Sequence, residues 1–142
     1  MSERIFTLEF TVTEQHLDEN NHVNNVKYVE WMQDVAVGHT NAMGWTSQRY
    51  HALGCSWFAR SHHINYRRQA NLGDRITIKT WIEDLKRASS VRKYTFENQQ
   101  GEMIADAETH WAFVNIVTGR PMAVLDAVRT DFAKICAPSE EK

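Results

Sequence analysis

The chain has 142 residues, enough for one domain with a real hydrophobic core, and residues 1–142 are read as a single domain. Hydrophobic content of 42% and charged content of 24% are ordinary globular values. The net charge of −2, with no charged block beyond the terminal SEEK, argues against nucleic-acid binding, which needs a basic face.

The first run, RIFTLEFTV, alternates: Phe6, Leu8 and Phe10 share one side, which predicts a half-buried strand. Its flanks lack the apolar core of a signal peptide, and no run approaches the ~18 apolar residues of a membrane span. The expectation is therefore a cytoplasmic protein without a membrane partner. The two cysteines, Cys55 and Cys136, are far apart and belong to no CxxC pair, so reduced thiols are expected, with one disulfide as the alternative.

A polar loop follows, DENNHVNNVKY, with four asparagines just ahead of an apolar segment. In that segment Tyr28, Trp31, Met32, Val35, Ala36, His39 and Met43 recur at three-four spacing. This predicts a helix of about five turns, capped by Asn24 or Asn25 and ended by Gly44. Val26, Val29 and Val37 fall off the stripe, so the helix is expected to be apolar around much of its circumference, and buried. From Trp57 the period becomes two. Strands are predicted at WFARSHHINYRRQ, RITIKTWIEDL, SVRKYTFEN and a long run from Met103 to Phe113, with turns at NLGD and QQGE. TGRP closes the last strand, and LDAVRTDFAKI predicts a short terminal helix. One helix cannot hide itself. The expected architecture is α+β, an antiparallel β-sheet curled around one long central helix.

The block LDENNHVNNVKYVEWM resembles the motif of hotdog-fold thioesterases. It is especially similar to the Asp-x-Asn-x-His-Val-Asn-Asn block of acyl-ACP thioesterases, carried here by Asp18, Asn20, His22, Val23, Asn24 and Asn25. The 4-hydroxybenzoyl-CoA thioesterase-like group places an acid about ten residues before the helix-start tyrosine, as Asp18 precedes Tyr28. The resemblance implies a single hotdog domain that hydrolyses acyl-CoA or acyl-ACP and works as a homodimer or homotetramer, with no cofactor. Two departures stand out. The position seven residues after the acid is Asn25, where some bacterial relatives carry histidine, and the second hotdog unit and downstream glutamate–cysteine pair of acyl-ACP thioesterases are not found.

The residue types suit the chemistry. Thioester hydrolysis needs an activated water or nucleophile, and donors for the developing oxyanion. An ionised Asp18 serves as base or nucleophile. The helix start supplies unpaired N–H groups and a positive dipole end. Asn20, Asn24 and Asn25 donate and accept hydrogen bonds, and His22 is a base, an acid or a loop-fixing donor. A cap accounts for one asparagine; the others are candidates for the site. Tyr28, His62, His63, Lys86 and Arg87 are candidate substrate contacts, the last two as a basic turn for CoA phosphates. The bland reading of that turn is a solvated hairpin, and Arg67–Arg68 is the other basic pair.

Seven histidines raise the possibility of a metal. His62 and His63, however, project to opposite faces of a strand, and HExxH and CxxC are absent, so no metal is expected. No GxSxG elbow is present, and Cys55 is read as structural. The rival readings are a hotdog hydratase or dehydratase, whose Asp-x-Asn-Pro-x-His motif is not matched here, and a non-catalytic acyl-binding module.

Overall fold

The computed structural model describes residues 4–136; the terminal SEEK lies outside them. The described residues form five strands: β1 (Phe6–Thr11), β2 (Cys55–Tyr66), β3 (Arg75–Leu85), β4 (Ser89–Glu97) and β5 (Met103–Asn115). They form one sheet in the order β1-β3-β4-β5-β2, with every pairing antiparallel. Three α-helices accompany it, α1 (Asn25–Ala42), α2 (Ser47–Ala52) and α3 (Asp126–Ala133).

The alternation read in β3 and β4 is realised. Ile76, Ile78 and Ile82, with Tyr94 and Phe96, are buried on one face, while the intervening residues are more accessible. Helix α1 lies on that face through Tyr28, Met32, Val35, Ala36 and His39. Its start is cut by Asn24, whose side chain accepts from Val26 N at 2.9 Å. Gly38 lets β1 come close: a Cβ there would meet the Phe6 ring at 2.9 Å, and that ring stacks on His39.

The curled sheet is not what forms. The sheet is open, with β1 and β2 as unjoined edges, and it does not wrap the helix. The reason lies in the helix surface. Val26 and Val37, read as widening the apolar stripe, are 61% and 52% exposed, and Glu30, Gln33 and Asp34 are exposed with them. A helix buried along one side needs one covering sheet face, not an enclosure. Helix α2 was also unforeseen. It is one short turn pair, started by the Thr46 hydroxyl accepting from Arg49 N at 3.1 Å.

The core has two halves. One packs Tyr28, Met32 and Val35 against Ile76, Tyr94, Phe96 and Ile104 beneath the first turns of α1. The other gathers Trp45, Tyr50, Phe113, Val128 and Phe132 at the opposite end of the sheet. Cys55 is buried there as a reduced thiol, and burial raises its pKa, as befits a structural cysteine.

Candidate active site

The loop before α1 folds back on itself. Leu17 bridges to Val23, Asp18 N donates to His22 O at 2.8 Å, and Asn21 turns the chain with a left-handed φ of 62°. Asparagine tolerates that conformation better than most residues. Inside the turn Asp18 Oδ1 accepts from Asn20 N at 2.9 Å and from His22 N at 3.2 Å. Both bonds fall on Oδ1; Oδ2 carries none among the described residues.

Asp18, His22, Asn25 and Tyr28 line one cleft of about 290 Å³. The sequence candidates separate here. Asn20 contributes its backbone to hold Asp18, and Asn24 is spent on the cap; neither side chain lines the cleft. Val26 N–H goes to the Asn24 side chain, Lys27 N–H to Asn24 O, and Asn24 N–H to His16 O. The N–H of Asn25, at the first position of the helix, has no partner among the described residues. Tyr28 forms the buried floor, its ring edge-on to Tyr66 at 5.1 Å and to Phe96 at 5.2 Å. Burial pushes its phenol up to about 12, so at neutral pH it remains a protonated donor.

The opposite wall comes from the exit of β2. Arg67 N and Arg68 N both donate to Ile104 O, at 2.9 and 3.2 Å, which kinks the chain off the sheet. Tyr66, Arg68, Gln69 and Ala70 are thereby turned onto the cleft. Gln69 went unremarked in the sequence. The signal available was the loss of alternation in RRQANLGD, directly after the strand.

His62 and His63 do project to opposite faces. His62 Nδ1 meets Thr109 Oγ1 at 2.9 Å, and the same hydroxyl accepts from Tyr94 Oη at 2.9 Å. Burial holds His62 below its ordinary pKa, so it favours the neutral ring. His63 lies on the outer face beside Lys93 and Glu108. Neither lines the Asp18 cleft of its own chain. Lys86 and Arg87 lie still farther away. Ser89 pairs with Ala112 while Phe96 pairs with Ala105, so their turn sits at the other end of β5, about 24 Å off at ~3.4 Å per residue. Their carbonyls accept from Arg129 Nη2 at 2.7 and 3.2 Å, docking the turn on α3.

Residues 3–132 match the family model of the acyl-ACP thioesterase N-terminal domain. The chain belongs to this family. That places it among the hotdog-fold thioesterases, a group of thioester hydrolases. Long-chain acyl-CoA thioesterase FadM of Escherichia coli is 25% identical over 118 residues, covering 80% of this chain and 86% of that protein. Oleoyl-acyl carrier protein thioesterase 1 of Arabidopsis thaliana is also 25% identical over 118 residues, and the match takes in 32% of its length. The fold is similar to that of Staphylococcus aureus protein SAV2348, solved in complex with CoA, with a TM-score of 0.87 and 24% identity over 95% of this chain and 85% of that one. The relatives this chain is similar to are thus named for both carriers. Among the described residues no helix is long and apolar enough to cross a membrane.

Proposed function

We propose that the Asp18 cleft hydrolyses acyl thioesters of CoA or acyl carrier protein, yielding a free acid and a thiol. The observation that carries this reading is the pairing of a half-tethered carboxylate with an unpartnered helix-start N–H in one cleft. Asp18 Oδ1 is fixed by two backbone donors, which leaves Oδ2 to take a proton from water. The water oxygen attacks the thioester carbon. The carbonyl oxygen gains the negative charge and is met by Asn25 N–H, strengthened by the helix dipole. Collapse breaks the C–S bond, and the thiolate recovers the proton from the Asp18 carboxyl. His22 and the Tyr28 hydroxyl are the further polar groups of the cleft.

A panel of acyl-CoAs with a thiol reagent tests this. Release of free CoA is expected. Hydration of crotonyl-CoA without CoA release would make the protein a hydratase, and saturable binding with neither would make it a binding module. The same panel locates the phosphate contact. Arg68 is the basic residue lining the cleft, so Arg68→Ala is expected to raise KM severalfold with a smaller change in kcat. Lys86→Ala with Arg87→Ala removes charges about 24 Å away along the sheet by the ~3.4 Å rise. A larger KM effect from that pair than from Arg68 would return the nucleotide to the β3–β4 turn.

We also infer that the working unit is at least a homodimer. Strand β2 is a twelve-residue open edge, and Phe58 upon it is 61% exposed. Such an edge invites pairing with a second copy by two-fold symmetry. Light scattering at assay concentration is expected to give a dimer or tetramer, and a fully active monomer would remove this inference.

A further inference from the structure

The hydrolysis uses one end of α1; a second cavity of about 180 Å³ lies at the other. Its walls are aromatic: Trp45, Tyr50, Trp57, Trp111 and Phe132. Trp57 stacks on Phe132 at 5.7 Å, and Trp45 on Tyr50 at 5.1 Å, so the walls are braced. Into this apolar setting the sheet brings Arg92, which is 3% exposed. Its Nη1 lies 2.9 Å from His39 Nδ1 and donates to Thr80 Oγ1 at 3.2 Å. Nε and Nη2 make no hydrogen bond among the described residues, and no carboxylate there lies within ion-pair distance of the guanidinium.

A buried guanidinium without a counter-ion is unusual. It cannot shed its proton at working pH, and an unpaired buried charge is costly. Its planar fork matches a carboxylate. The size also selects. An engineered cavity of about 150 Å³ takes a benzene ring, so this one has room for a ring and a small substituent. Exposed Val37, Asn41 and Ser47 stand at the rim and leave a way in. We propose that this cavity binds a single-ring aromatic carboxylic acid, with the carboxylate on Arg92 and the ring among the tryptophans.

The site is distinct from the Asp18 cleft. Arg92 pairs with Thr109, and Tyr66 of the cleft pairs with Ala105, four residues along β5 and about 14 Å away at ~3.4 Å per residue. The buried Tyr94, which pairs with Ala107, stands between those two positions along the sheet. The proposal therefore stands or falls separately from the thioesterase reading.

The test is a titration of the intact protein with benzoate and with its neutral isostere benzamide, followed by tryptophan fluorescence and calorimetry. Saturable benzoate binding is expected, at least tenfold tighter than benzamide. Arg92→Gln is expected to abolish that preference, while Asp18→Asn and Arg68→Gln leave benzoate affinity within twofold. Should Arg92→Gln fail to fold, Asn41→Asp at the rim carries the same test, weakening benzoate and sparing benzamide. Absence of benzoate binding, equal affinity for the two ligands, or loss of benzoate binding in Arg68→Gln would each overturn the proposal.

Discussion

Asp18→Asn is expected to lower kcat/KM for acyl-CoA by about 10²–10⁴, the range associated with losing a general base. The substitution preserves size and shape. The amide oxygen still accepts the N–H groups of Asn20 and His22 that Oδ1 holds at 2.9 and 3.2 Å, so the Leu17–Val23 turn stays closed. What is lost is the proton-accepting function of Oδ2. The melting temperature is therefore expected to stay within a few degrees, since Asp18 itself is half-buried and not part of the core. The pattern across variants matters as much as the size. His22→Gln leaves the backbone N–H that reaches Asp18 in place and removes only the imidazole, so a much smaller loss is expected from it. Near-normal turnover in Asp18→Asn, measured by CoA release on purified, folded protein, would take the carboxylate out of the chemistry.

Much of this architecture was legible because it rests on period and capping. The run RITIKTWIEDL became β3 over Arg75–Leu85, and Asn24 became the cap of an eighteen-residue helix. The helix environment was misread through Val26 and Val37. A residue off the stripe widens an apolar face only if something covers it, and whether a sheet closes is decided by pairing between distant strands, here β1 and β2, which do not meet. The cleft was legible in Asp18, His22, Asn25 and Tyr28, all within one short motif. Its other wall was not. Tyr66, Arg68 and Gln69 reach it because two successive N–H groups share Ile104 O, a backbone event with no side-chain signature. Lys86 and Arg87 carry the right charge for phosphate, but their hairpin lies at the end of the strand away from the Asp18 cleft. Counting residues from each turn along β4 and β5 would have shown that, had the strand pairing been known.

The open sheet bears on stability too. With no enclosure, α1 is held by what its buried side presses onto, and Phe96 is central to that contact. It is fully buried, and its ring sits edge-on to Tyr28, the floor of the cleft, at 5.2 Å. Truncation to alanine leaves a cavity beneath the first turns of α1, bounded by Ile104 and Ala105 of the neighbouring core. Buried Phe→Ala changes cost about 3–5 kcal/mol, transfer and cavity terms together. That is a large share of the roughly 5–15 kcal/mol that holds a small domain folded. Phe96→Ala is therefore expected to shift the urea midpoint far down with little change in slope, while Phe96→Leu, which refills most of the volume, recovers over half of the loss. Function should follow stability here and not chemistry. At low temperature, where Phe96→Ala remains folded, turnover is expected within about tenfold of the parent, above the 10²–10⁴ deficit expected of a lost base. A loss below ~1 kcal/mol in Phe96→Ala would mean that the helix start is anchored elsewhere. Full stability with abolished turnover would instead move Phe96 from the support of the cleft into the cleft itself.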